Sequence, residues 1–196
     1  VAAGSGVPRW SLDAERVREL LILLDERLKR RGVAASVYVV GGVAVALRAQ
    51  PRRLTIDVDA MVSDQAVLEE AEAMALEEGL PPGWLNSAAR PWLPPRPPEA
   101  LAERSAPGLD VHVAPLDHLL AMKIIAFRDR DVEDIRALAV ALQLDGVSAE
   151  ELRALVADVY ATPELLATAI GGSDREAGDE LRLRCERVAR FLQTRS

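Results

Sequence analysis

"YVVGGVAVALRAQPRRLTIDVDAMV", residues 38–62, sets an apolar run against two glycines, an alanine-rich stretch and a second apolar run that carries two aspartates. The β-branched and aromatic residues of 36–40 predict a buried strand. Val43–Arg48 predicts a short helix that stops before Pro51, and residues 54–62 predict a second strand. Side chains i and i+2 of a strand share a face, so Asp57 and Asp59 should project together while Ile56 and Val58 turn into a core. Two carboxylates that close repel one another unless a cation lies between them, and Mg²⁺ suits such a pair. Taken alone, the same pattern also describes a surface strand with a solvated polar face. A Gly-Gly turn between strand and helix lets backbone N–H groups approach phosphates at a helix N-terminus, or serves a tight turn with close packing. Combined on adjacent elements, a phosphate cradle and metal-binding carboxylates are what nucleotide transfer from a nucleoside triphosphate requires.

Outward from this stretch, Ser11 is the expected N-cap of a helix whose apolar positions run from Leu12 to Leu28 and which Gly32 ends. Asp64 is the expected cap of a helix over 65–78, closed by Gly79. Six prolines between 91 and 107 exclude regular helix or central strand over much of that loop. A loop of that length marks either disorder or a functional flap, and its Trp92 would stack on a base or anchor the loop. Residues 109–113 alternate as a third strand. Helices follow at 116–128, 131–143, 149–160, 163–170 and 174–193. The fold class expected is α/β (α+β), a small mixed sheet with a helical C-terminal half. Its core would span 10–114, with the helical part at 115–196.

The bulk properties bound the function. The 196 residues carry a formal net charge of -7, which argues against a general nucleic-acid coat but leaves room for a local basic groove. The single cysteine, Cys185, cannot form an internal disulfide, and the chain fits a reducing, cytoplasmic setting. No apolar stretch is long enough for a membrane span. The first eight residues read as an unstructured start and not as a signal peptide. His112 and His118 stand too far apart, with too little cysteine, to suggest zinc.

The segment "GGVAVALRAQPRRLTIDVDAMV" resembles the signature of the DNA polymerase β-like nucleotidyltransferases. The spacing of Arg53, Thr55, Asp57 and Asp59, R-x-T-x-D-x-D, is similar to that of the AbiEii and MenT group of toxin-type nucleotidyltransferases. "GWLN", 83–86, and "LLAMKIIAFRDRDVEDI", 119–135, resemble further pieces of that group in the same order. The resemblance implies a nucleotidyltransferase fold in which Gly41 and Gly42 hold the triphosphate. Asp57 and Asp59 would bind Mg²⁺, two ions in all, and Asp110 would be the third carboxylate that activates the acceptor hydroxyl. It implies an NTP donor, a tRNA 3′ end as acceptor, and a cognate antitoxin as partner of a toxin.

Lys123 lies in an otherwise apolar helix, where a lysine is costly unless its ammonium meets anions. Triphosphate binding would satisfy it, with its ammonium in the cleft of Asp57 and Asp59, and snorkelling to solvent is the alternative. Arg128, five residues on, is a weaker phosphate ligand. Asp131 and Asp134 suit a helix N-terminus and could orient Lys123 or Arg130. Arg53 could neutralise phosphate, and Thr55 sets a hydroxyl beside the metal, a position that an antitoxin phosphorylates in some relatives. Arg48, Arg52, Arg53, Arg90, Arg96 and Lys123 would line a groove for RNA. A non-catalytic, antitoxin-like partner protein and an aminoglycoside-type small-molecule nucleotidyltransferase are the alternatives.

Overall fold

A computed structural model describes residues 10–51, 53–94, 101 and 105–194. The expectations for the first eight residues, for Arg52 and Arg96, and for three of the loop's six prolines (Pro95, Pro97 and Pro98) lie outside the described residues. The chain forms two compact units, one of Val1–Leu47, Pro51–Ala88 and Pro98–Val113, the other of Arg48–Gln50, Ala89–Pro97 and Ala114–Ser196.

The first unit holds the sheet. Helix α1 (Ala14–Arg31) starts at Asp13, whose carboxylate accepts from the Arg16 amide at 2.8 Å, so the cap lies two residues beyond Ser11. Gly32 ends it in the left-handed conformation, φ 69°. Strands β1 (Ala34–Val39), β2 (Val58–Val62), β3 (Leu85–Asn86) and β4 (Gly108–Val113) assemble in the order β3-β2-β1-β4. β1 pairs antiparallel with β2 and parallel with β4, and β2 pairs parallel with β3, so the small mixed sheet is as expected. Between β1 and β2 lies α2 (Gly41–Arg48), with Val43 to Ala46 buried. Helix α3 (Ala66–Glu78) follows, its first amide received by the Asp64 carboxylate at 2.8 Å.

Aliphatic side chains fill the interior, with Val37, Val39, Val45 and Val58 essentially inaccessible. Trp84 is 1% exposed and donates its indole N–H to Ala71 O at 2.8 Å. Its own carbonyl receives the Val58 amide at 2.6 Å, which fixes the start of β2. Between α1 and α3 lies an ionic lattice. Arg27 pairs with Glu70 and, at 2.7 Å, with Glu77, while Arg31 reaches Glu70 at 2.8 Å.

The second unit is helical: α4 (Leu116–Ala126), α5 (Val132–Ala141), α6 (Ala149–Tyr160), α7 (Pro163–Ile170) and α8 (Asp174–Gln193). α4 stops two residues short of the expected end because Phe127 adopts φ 42°, and a 3₁₀ turn, Asp129–Asp131, leads into α5. Ser148 with Glu151, and Ser173 with Glu176, form reciprocal caps for α6 and α8. Cys185 is fully buried on α8, and burial pushes its thiol up to about 12. Among the described residues no helix is long and apolar enough to cross a membrane.

Candidate functional site

The glycines, the second aspartate and Arg53 come together. Gly41 begins α2 with φ 67°, a conformation that side-chain-bearing residues rarely adopt. A Cβ there would lie 2.7 Å from Asp59 Oδ2 and 3.1 Å from Asp59 Cβ. At Gly42 a Cβ would meet the Arg53 guanidinium, 2.8 Å from its Cζ. The absent side chains are therefore what admits a carboxylate and a cation to the first turn of a helix. The amides of such a turn have no partner within their own helix, and they lie at the positive end of its dipole. Val40 N donates to Asp59 O at 2.9 Å, setting Asp59 level with the end of β1, where the glycine turn starts.

The strand before Asp59 is shorter than its alternation predicts. β2 begins at Val58, and residues 54–57 run irregularly, pinned by a lone bridge from Thr55 to Leu12. Ile56 is consequently 55% exposed, not in the core, because no neighbouring strand extends the pleat that would turn it inward. Asp57 lies just outside the ladder and is half-buried. Thr55 is 9% exposed and donates its hydroxyl to Asp57 O at 3.0 Å. A hydroxyl so placed is closed to a modifying enzyme unless this segment opens.

Asp110 is not brought to the pair. In the parallel register it sits opposite Ser36, whereas Asp59 lies level with Val40. It shares a sheet face with Asp59 but is four residues away along β1, roughly 13 Å at the rise of a strand, and across β1 from it. The strand residue was legible in the sequence; its register was not. Among the described residues, no three acidic, histidine or cysteine side chains gather to hold a metal ion. Asp57 and Asp59 alone are a donor set that fits one hard divalent cation completed by phosphate oxygens and water.

Lys123 finds its anions within the second unit. Its ammonium lies 2.5 Å from Asp131 Oδ1 and 2.8 Å from Asp134 Oδ2, both carboxylates being 2% exposed. The ion triad ties α4 to the turn and helix that follow, so the ammonium is met by carboxylates and does not snorkel to solvent. Arg130, the other cation these aspartates could orient, is exposed. Asp131 Oδ2 is buried with no hydrogen-bond partner among the described residues. Arg128 lies over the Trp92 ring, 4.7 Å from its centroid. Trp92 belongs to a 3₁₀ turn, Arg90–Trp92, whose last carbonyl receives the Tyr160 hydroxyl at 2.6 Å. Trp92 thus acts as an anchor. Of the six cations expected to line a basic groove, Lys123 is neutralised by its own carboxylates, and Arg52 and Arg96 are outside the described residues.

Leu12, expected as the first apolar position of α1, instead precedes that helix and pairs with Thr55. It acts through its backbone, and nothing in its side chain marks it.

No curated protein and no solved structure shows significant similarity to this chain. A family described as "Nucleotidyltransferase of unknown function (DUF6036)" matches residues 16–165, a span that takes in the glycine turn, both aspartates, Asp110 and the Lys123 triad. With well over half of its length matched, the chain belongs to this family of nucleotidyltransferases.

Proposed function

We propose that the chain transfers a nucleotide from an NTP to an acceptor hydroxyl, at a site built from the α2 N-terminus, Arg53, Asp57 and Asp59. The hydroxyl oxygen bonds to the α-phosphorus as the bond to the β-phosphate breaks and pyrophosphate leaves. The observation that carries this reading is the pair of close approaches at Gly41 and Gly42. At Gly41 the space is taken by Asp59, and at Gly42 by the Arg53 guanidinium, so the turn holds a carboxylate and a cation against its backbone. Magnesium held by Asp57 and Asp59 would supply charge neutralisation for the triphosphate and for the acceptor oxygen. The amides of the first turn of α2 bind and orient phosphate oxygens, and Arg53 adds a positive charge beside them. Asp110 lies too far along β4 for the base role, so the acceptor proton would leave to Asp57 or Asp59 or to water.

Within this reading the acceptor is an RNA 3′ end, tRNA first, and the chain is the toxin of a toxin–antitoxin pair. The R-x-T-x-D-x-D spacing supports that choice, and the net charge of -7 weighs against it. That no third carboxylate joins the pair among the described residues favours one competing reading, a partner protein that keeps the fold without turnover.

The two readings separate in one experiment. The protein is incubated with each labelled NTP, Mg²⁺ and total RNA, and the RNA is resolved on a gel. Transfer that Asp57→Ala and Asp59→Ala each lower by roughly 10²-fold or more, with unchanged circular dichroism, supports the enzyme. Wild-type turnover in either variant removes the metal assignment. No labelling with any NTP and any acceptor leaves the partner protein.

A further inference from the structure

Asp57 would have to present its carboxylate beside that of Asp59, yet it has no place in the β2 ladder, which starts at Val58. Two anchors flank it. On one side the Val58 amide is bonded to Trp84 O at 2.6 Å. On the other, Thr55 exchanges two backbone hydrogen bonds with Leu12: Leu12 N donates to Thr55 O at 2.7 Å, and Thr55 N to Leu12 O at 2.9 Å. Leu12 is wholly inaccessible, so this anchor is fixed in the core. The Thr55 hydroxyl closes the gap by donating to the Asp57 carbonyl at 3.0 Å.

We infer that Thr55 is a positioning residue for the cation site, its buried hydroxyl setting the main chain of Asp57 so that the two carboxylates converge. The inference rests on the assignment of Asp57 and Asp59 to a divalent cation. A side chain that orients a metal ligand matters for affinity much as the ligand does, typically by 10–100-fold. Here the orienting bond goes to the ligand's own backbone, where it restrains the φ and ψ that aim the carboxylate. A hydroxyl turned toward the main chain in an irregular segment is a recognised way for threonine to set local conformation.

The test is Mn²⁺ binding, read from the loss of the free-ion electron paramagnetic resonance signal, with and without each NTP, in wild type, Thr55→Val and Thr55→Ser. Valine keeps the shape and removes the donor, and the expected result is a dissociation constant raised by roughly 10-fold at an unchanged melting temperature. Serine, which keeps the donor, restores the wild-type value. Equal Mn²⁺ affinity in wild type and Thr55→Val overturns this inference alone, as does a serine variant as weak as valine. A wild-type chain that binds no Mn²⁺ under either condition overturns the cation reading and this inference with it. Should valine not fold, Thr55→Ala is read in the same way, and wild-type affinity in it overturns the inference.

Discussion

A glycine pair can be needed for its backbone angles or for the space it leaves, and Gly41 and Gly42 divide those reasons between them. Gly41 needs both, since its φ is positive and the atoms that would meet a Cβ include Asp59 Cβ, which cannot move without β2. Gly41→Ala should cost about 1–2 kcal/mol from the left-handed backbone alone, with a further loss from the clash, seen as a lower melting temperature. Gly42 needs only space, and what it would strike is the far end of a flexible arginine. Gly42→Ala should melt like the wild type while raising KM for the NTP, because the guanidinium has moved and the fold has not. If both variants lose stability equally, the division is wrong.

At the scale of elements, buried charge does the joining. Lys123→Met keeps the apolar stem of α4 but leaves Asp131 and Asp134 buried without their cation. The expected loss is about 3 kcal/mol or more, the cost of breaking a buried pair from one side, measured by denaturant unfolding. Adding Asp131→Asn and Asp134→Asn to Lys123→Met should recover part of it. Between α1 and α3 the sign of a pH effect follows from Glu70. Burial, the largest single influence, pushes its carboxyl up, but Arg27 and Arg31 together override it and hold it below its ordinary 4.5. A depressed folded value means the stabilisation is whole above 4.5 and lost as pH falls through the folded value. The melting temperature should therefore drop steeply with acid below that point, and Glu70→Gln should flatten the drop.

Over the whole molecule, what the sequence made legible was local. The glycine turn, Arg53 and Asp59 all lie within one continuous stretch, 41–59, whose strand–turn–helix–strand pattern was enough to bring them together. The start of β2 was misplaced because alternation continues through Leu54 and Ile56, whereas pairing depends on Trp84, far along the chain. β3, two residues long, has no period to detect. Asp110 was assigned to the right strand, but a parallel register is decided by the crossover connecting two strands, which no local pattern records. The sequence marks Lys123 as a buried cation but points it to the cleft of Asp57 and Asp59, with Asp131 and Asp134 only as residues that could orient it, whereas these two are its partners. The turn that carries both to it hinges on Phe127, a non-glycine residue with positive φ. Cys185 reports on the second unit as a whole. With its thiol buried and held near 12, it should resist a disulfide reagent in the native protein and react only as the helices open. Rapid native labelling would contradict that packing.

The register of β4 gives Asp110 another meaning. Among the described residues β4 is the outer strand of the sheet, with Asp110, Val111 and His112 all exposed along it. The rim of a sheet is where an extended chain, including another copy of itself, would pair, and here the Leu109 amide already donates to the Asp25 carboxylate at 2.7 Å. A carboxylate midway along six residues makes that docking costly, since an incoming strand in register would bring its own charge alongside. A charge at such a position is a common means of keeping an edge strand from pairing further.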